Sequence, residues 1–163
     1  MDSNFKVGGI FDVVCIGSDG KEKWRDTAKN LVPDAALNHI LDVVLHGTTA
    51  TSPWYVGLKG AGTPVAGETL ASHSAWTENT AYTGDRQEYV EAAASGKSTT
   101  NSANKASFSI TSDTQTIAGA FLASVATGTS GIELCAADFT GGNKSCDSGD
   151  TLQVTYTISA ADA

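Results

Sequence analysis

Positive charge is scarce in this 163-residue chain, which carries ten Lys and Arg against eighteen Asp and Glu for a net charge of −8. No segment forms a basic patch. Because contacts to phosphate need Lys and Arg, binding to DNA or RNA is disfavoured. Proline is scarcer still, and three residues exclude a proline-rich disordered chain. The cysteines are an odd three, Cys15, Cys135 and Cys146, with no CxxC spacing. That argues against a disulfide framework and against a zinc site. Cys15 alternates with apolar neighbours and reads as a small buried residue. Cys135 and Cys146 are placed to pair across a hairpin, although free thiols in a cytosolic assembly are the default. No apolar run approaches membrane-spanning length. The opening MDSNFKVGG has no apolar core of a secretory signal. The expectation is a soluble protein made in the cytoplasm, with neither a membrane nor a nucleic acid as partner.

What is present is a chain of short β-type runs around one helix. In PDAALNHILDVVLHG, Leu37, Ile40, Leu41, Val44 and Leu45 fall at the spacing of a single apolar stripe, which predicts a helix over 33–46. Pro33 suits its first position, Asp34 its positive end, His46 its negative end and Gly47 its termination. Such a stripe is expected to bury itself against a sheet. Before it, FKVGGIFDVVCI and KEKWRDTAK flank the turn Ser18-Asp19-Gly20 and predict an N-terminal hairpin over 1–29, lying on the edge of the body or extending from it.

After the helix, Trp54 to Leu58 is strongly β-prone, and Lys59 to Gly67 reads as a Gly- and Pro-containing loop. Residues 69–78 read as a short helical or irregular segment with Leu70 and Trp76 turned inward, 86–90 as a short strand and 92–104 as a loop. Ile117 to Leu122 is apolar on both faces and reads as a central strand. Leu152, Val154, Tyr156 and Ile158 alternate with polar residues, as a half-buried strand does. Strands at this spacing predict a mainly β, antiparallel β-sandwich or jelly-roll-like single domain with one amphipathic helix and an N-terminal hairpin or arm: residues 1–29 as the arm, 30–163 as the body.

Candidate chemistry is thin. His39, Asp42 and His46 meet metal-ligand spacing only loosely, and the polar face of an amphipathic helix accounts for them. Asp138, Asp147, Ser148 and Asp150 crowd a Gly-rich loop without the EF-hand pattern, so turn capping is favoured over calcium. Gly57 to Thr63 lacks the Gly-Lys-Ser/Thr of a phosphate loop, and no GxSxG elbow occurs. No catalytic residue, cofactor or metal is therefore expected. Lys6, Lys21, Lys23, Arg25 and Lys29, half of the basic residues, precede residue 30. A solvated hairpin explains them, or an arm that meets an acidic partner. Trp54 is expected in the core. Trp24, in charged company, is the best interface candidate among the tryptophans.

Several segments together resemble one family: LNHILDVVLHG (37–47), WYVGL (54–58), Trp76-Thr77-Glu78 with Ala81-Tyr82, Asn101-Ser102-Ala103 with Ala106-Ser107-Phe108, Ile117-Ala118-Gly119-Ala120-Phe121-Leu122, and a closing Gly149-Asp150-x-Leu152-x-Val154-x-Tyr156. They are similar to small virion proteins encoded among the structural genes of tailed bacteriophages, a group that includes head decoration, or cement, proteins. The resemblance spans roughly residues 30–160 and leaves 1–29 outside. It implies a capsid-surface protein that is not an enzyme. Such a protein binds the assembled shell, bridges its subunits and stabilises it by mass action. The implied partners are the major capsid protein and further copies of itself, as a homotrimer that suits three-fold lattice positions. On this reading Lys6, Lys21, Lys23, Trp24 and Arg25 form the capsid interface, and residues 1–29 are removable without unfolding the body. The alternative is a tail-associated or receptor-binding fibre module, in which the loops at 59–67 and 92–104 recognise a host glycan. A sandwich-fold hydrolase is a third, weaker reading.

Overall fold

A computed structural model of the chain describes residues 5–162. In chain order the elements are β1 (Phe5–Ile16), β2 (Glu22–Lys29), α1 (Asp34–Leu45), β3 (Tyr55–Gly62), β4 (Trp76–Asn79), β5 (Gln87–Glu88), β6 (Ser98–Thr100), β7 (Ala106–Ser109), β8 (Gln115–Ile117), β9 (Gly119–Ala123), β10 (Glu133–Asp138), β11 (Lys144–Cys146) and β12 (Thr151–Asp162). They form an antiparallel β-sandwich with a single helix.

One sheet runs β2-β1-β12-β6, with β7 pairing β12 further along. Its spine is the β1–β12 pair, in register from Phe5 opposite Asp162 to Ile16 opposite Thr151. Period-two alternation turns Phe11, Val13 and Cys15 of β1 and Leu152, Val154 and Tyr156 of β12 into the core, all six fully buried. Phe11 stacks on Tyr156 with ring centroids 4.2 Å apart. The facing sheet runs β10-β9-β3-β4, with β5 also on β3. Its Val56, Leu58, Ala120, Leu122, Cys135 and Ala137 complete that core.

The expectation of a central strand apolar on both faces holds for 119–122, whereas Ile117 ends β8 in a separate two-stranded sheet with β11, and the packing explains the two-sided pattern. Ala120 and Leu122 face the main core. Phe121 and Ala123 face a second cluster with Ala136 of β10, Trp76 of β4 and Leu70 of the segment before β4. Gly57 is obligatory here, because a Cβ on it would run into the Phe121 ring of the neighbouring strand.

Several expectations need correction. The hairpin is not set apart from the body: β1 lies between β2 and β12, and Phe11, Val13, Cys15 and Ala28 belong to the common core. Removing residues 1–29 would delete an inner strand together with its share of the common core. The loop expected from Lys59 begins later, since β3 continues to Gly62 and Lys59 is fully buried. Of the two readings of 69–78, helical or irregular, the irregular one is seen: turns lead into β4, with Leu70 and Trp76 inward as expected. The 92–104 segment contains β6, bonded to β12.

The helix obeys its end signals but not its burial pattern. Pro33, in extended conformation, precedes it, and Gly47 takes φ +77° just after it. Ala36 is its one buried residue, and Ile40 packs partly against the core beside Val32, Trp54 and Ile158. Leu37, Leu41, Val44 and Leu45 are 41%, 51%, 72% and 78% exposed. Successive helical residues are about 100° apart. Docking on the Ala36–Ile40 edge therefore rotates most of the stripe toward solvent.

Candidate functional site

The charged residues of the hairpin are mostly committed to the molecule itself. Lys23 Nζ lies 2.7 Å from Asp150 Oδ2 and 3.0 Å from Asp147 Oδ2. Those two carboxylates raise the Lys23 pKa above its ordinary value. Burial works against the charge of Asp150, yet Lys23 and the Asp147 N–H outweigh it and hold the carboxyl below its usual range. Asp147 is held low by the Thr114 N–H and by Lys23. Trp24 is half-buried, edge-on to Phe139 at 5.7 Å, and donates its indole N–H to the Ser145 carbonyl at 2.9 Å. Arg25 reaches Glu22 at 3.2 Å and Asp12 at 3.9 Å.

Lys6 and Lys21 are exposed, but they do not share a patch. Lys6 is near the start of β1 and Lys21 beyond its end, so ten strand steps of about 3.3 Å already put roughly 33 Å between them. Lys6 is thus separated from the other four expected interface residues, which share one end of the hairpin, and of those Lys23 and Trp24 are engaged within the molecule. Sequence alone hid this, because their partners lie on β11 and the loop after it.

The acidic group expected around Gly141 disperses in the same way. Asp138 pairs with Lys59, Asp150 caps its own turn by accepting the Asp147 N–H at 2.9 Å, and the Asp147 carboxylate accepts the Thr114 N–H of another loop at 3.1 Å. His39 is hydrogen-bonded to Thr51 at 3.2 Å and packs on Trp54, not on Asp42 or His46. Among the described residues, the one trio of metal-capable donors within 4.8 Å of one another is Cys15, Cys146 and Asp150. Of the two readings left open for Cys135 and Cys146, the default of free thiols is the one seen: all three thiols are free, and Cys135 donates to the Tyr156 hydroxyl at 3.3 Å.

Three buried ionic groups hold the second sheet. Lys59 pairs with Asp138 and donates to the carbonyls of Gly60 and Gly62. Arg86 grips Glu78 in bidentate fashion at 2.8 and 2.7 Å and donates to the carbonyls of Val125 and Gly128, which uses four of its five N–H donors. Glu68 receives the Trp76 indole N–H, and beside it Glu133 is 2% exposed. The first two were invisible to sequence reasoning because Lys59 reads as the start of a loop and the partners of Arg86 lie eight and about forty positions away.

The feature that stands out is the helix end. The exposed Leu37, Leu41, Val44 and Leu45 are flanked by two mainly apolar clefts. One, about 280 Å³, lies between the helix and Trp54, Leu134 and Ile158. The other, about 350 Å³, lies between Ile40, Val7, Ile158 and the β6 edge. Ile40 and Ile158 line both clefts, which joins them into one apolar surface. Phe5, 65% exposed, begins β1 on the same side as Val7. Charge is sparse here: Asp42 and Lys97 flank the surface. No helix among the described residues is long and apolar enough to cross a membrane. No protein-family model matches the chain, and no curated protein matches it.

Proposed function

We propose that this protein is a bacteriophage head decoration protein, which binds the assembled shell and stabilises it by bridging capsid subunits, and that the apolar helix end is the surface through which it is held there. The observation that carries this reading is the exposed stripe of Leu37, Leu41, Val44 and Leu45, which gathers on one helix four of the eight large hydrophobic residues exposed among the described residues. Contiguous exposed apolar area of this kind marks a contact surface, not a tolerated accident. A shell that repeats the same site hundreds of times needs a rigid ligand with one sticky face, and binding to the intact lattice alone shifts assembly toward it. The family resemblance of residues 30–160 points the same way. Docking moves from the hairpin, where Lys23 and Trp24 are engaged internally, to the helix. Lys21 and Arg25, at the far end of β1, are left to the opposite face.

The test is the copy number of the protein in purified particles relative to the major capsid protein, by quantitative mass spectrometry. A ratio of about one, or a simple fraction near it, is expected, because lattice symmetry fixes stoichiometry. A ratio of a few per cent would overturn the reading and place the protein with the tail-associated fibre modules, where glycan binding becomes the assay.

A further inference from the structure

Cys15 and Cys146 stand far apart in sequence and next to each other in space. Cys15 is the inward residue near the end of β1, and Cys146 ends β11. Their sulfurs and an Asp150 carboxylate oxygen lie within 4.8 Å of one another, and all three residues are buried. Cys15 Sγ points its proton at Asp150 Oδ2, 3.7 Å away. The same oxygen accepts the Lys23 ammonium at 2.7 Å and the Asp147 N–H at 2.9 Å. A divalent cation at this point would have to displace an ammonium that already neutralises the carboxylate, and only three protein donors would remain for it. Two thiols with a basic side chain beside them suit a different chemistry.

We infer that Cys15 and Cys146 form a dithiol–disulfide pair, oxidised by a small disulfide such as glutathione disulfide, that fastens the N-terminal hairpin to β11. The Cys15 thiolate attacks one sulfur of the oxidant, forms a mixed disulfide and expels one glutathione thiolate. Cys146, deprotonated in turn, attacks the Cys15 sulfur and expels the second. The two protein thiols lose two electrons, the oxidant gains them, and the two protons leave on the two glutathione thiols. The pairing assigns the roles. The hydrogen bond from Cys146, and then Lys23 against the opposing effects of burial and Asp150, lower the Cys15 thiol, while the same hydrogen bond raises Cys146. Access comes from β11, a three-residue strand in a two-stranded sheet, the kind of element that opens locally before the core does. Cys135 is the internal control. It is fully buried, its thiol is pushed up to about 12 mainly by burial, and its hydrogen-bond partner is a tyrosine, not a thiol.

The test uses the full chain, purified reduced, equilibrated with reduced and oxidised glutathione, quenched with an alkylating agent and weighed intact. The oxidised protein is expected to carry one alkyl group where the fully reduced protein carries three, to be about 2 Da lighter, the two hydrogens, once those groups are subtracted, and to retain no glutathione. A non-reducing peptide map should join the Cys15 and Cys146 peptides and leave Cys135 alkylated. Because the bond closes nearly the whole chain, its melting temperature should exceed that of the reduced protein by on the order of 5 °C or more. Cys135→Ala should keep all three results, and Cys146→Ser should lose them. An unchanged mass, a stable single glutathione adduct, or a bridge to Cys135 would overturn the inference. So would stoichiometric zinc in the reduced protein that must be stripped before the thiols oxidise. The wild-type readouts need no variant to fold, and none depends on the particle.

Discussion

Glu133 lies beside Glu68 in the interior, the two side chains 2% and 3% exposed. Glu68 receives the Val65 N–H and the Trp76 indole, whereas neither oxygen of Glu133 finds a hydrogen-bond partner among the described residues. Burial first, and then the neighbouring Glu68, push the Glu133 carboxyl from its ordinary 4.5 up to about 8. The folded protein therefore holds this proton more tightly than the unfolded chain does. The stabilisation is fully present below about pH 4.5 and is lost as pH rises toward 8. Its size is on the order of a few kcal/mol, since each tenfold preference for the protonated form is worth about 1.36 kcal/mol. Melting temperature should fall between about pH 5 and about pH 8.5, and Glu133→Gln, which cannot ionise, should flatten that slope and melt higher at the alkaline end. A variant with the wild-type slope would remove Glu133 as its cause.

Trp24 separates two accounts of the hairpin. If it docks on a partner, Trp24→Ala should leave the free protein as stable as before. Its contacts with Phe139 and the Ser145 carbonyl say otherwise. The substitution should cost about 1–3 kcal/mol, less than the loss of a fully buried tryptophan because the ring is only half-buried. Chemical denaturation of the isolated protein measures this directly. Lys21→Ala, on an exposed side chain with no such contacts, should fall within about 0.5 kcal/mol of wild type.

How far the sequence could be read depended on whether a residue's partners were local. The alternation of Leu152, Val154, Tyr156 and Ile158 names the inner face of β12, and the two-sided apolar run at 117–122 names a central strand from 119 onward, because each pattern reflects burial on a known side. Pro33 and Gly47 mark the helix ends through backbone chemistry that needs no neighbour. The failures are of another kind. Periodicity shows that α1 has an apolar face but not whether the rest of the chain covers it, and here docking through Ala36 and Ile40 leaves it open. Lys59 looked like the start of a loop because Gly57, Gly60 and Gly62 surround it. Gly57 and Gly60 are there because the Phe121 ring and Thr77 approach the strand closely. Trp24 and Lys23 looked like surface residues because what holds them, Phe139, Ser145, Asp147 and Asp150, is more than a hundred positions away. The candidate docking surface was thus legible as a helix and illegible as a surface.

The helix end allows function and stability to be separated. Leu41 and Val44 are half or more exposed, so Leu41→Glu and Val44→Glu together should change the unfolding free energy by no more than about 1 kcal/mol. The same double variant should lose most of its binding to purified heads in a co-sedimentation assay, since it places two charges in an apolar contact. By contrast, Leu122→Ala in the core should destabilise by about 2–5 kcal/mol without changing that surface. Undiminished binding by the double variant would send the search for the docking face back to the Lys21 and Arg25 end.

Lys59 carries the last prediction. Its side chain is fully buried, its ammonium is 2.5 Å from Asp138 and lies over the Trp76 ring at 5.8 Å. Its other donors go to the carbonyls of Gly60 and Gly62, where β3 bends away from its register with β4. A buried charge is tolerated only while its partners remain, so removing one partner is worse than removing the charge. Asp138→Asn should therefore cost more than Lys59→Met. The first leaves a cation in the interior with carbonyls and a ring but no counter-ion. The second keeps the volume of the side chain and leaves a carboxylate that is 36% exposed as a whole, although the Oδ1 that faced Lys59 is itself buried. Removing the partner of a buried ion is expected to cost about 3–5 kcal/mol, reduced here by the water that reaches Asp138. The double variant Lys59→Met, Asp138→Asn should recover most of the loss seen in Asp138→Asn. Urea denaturation of the four proteins closes this cycle. A coupling free energy near zero would mean that the two carbonyls, not Asp138, hold the lysine in place.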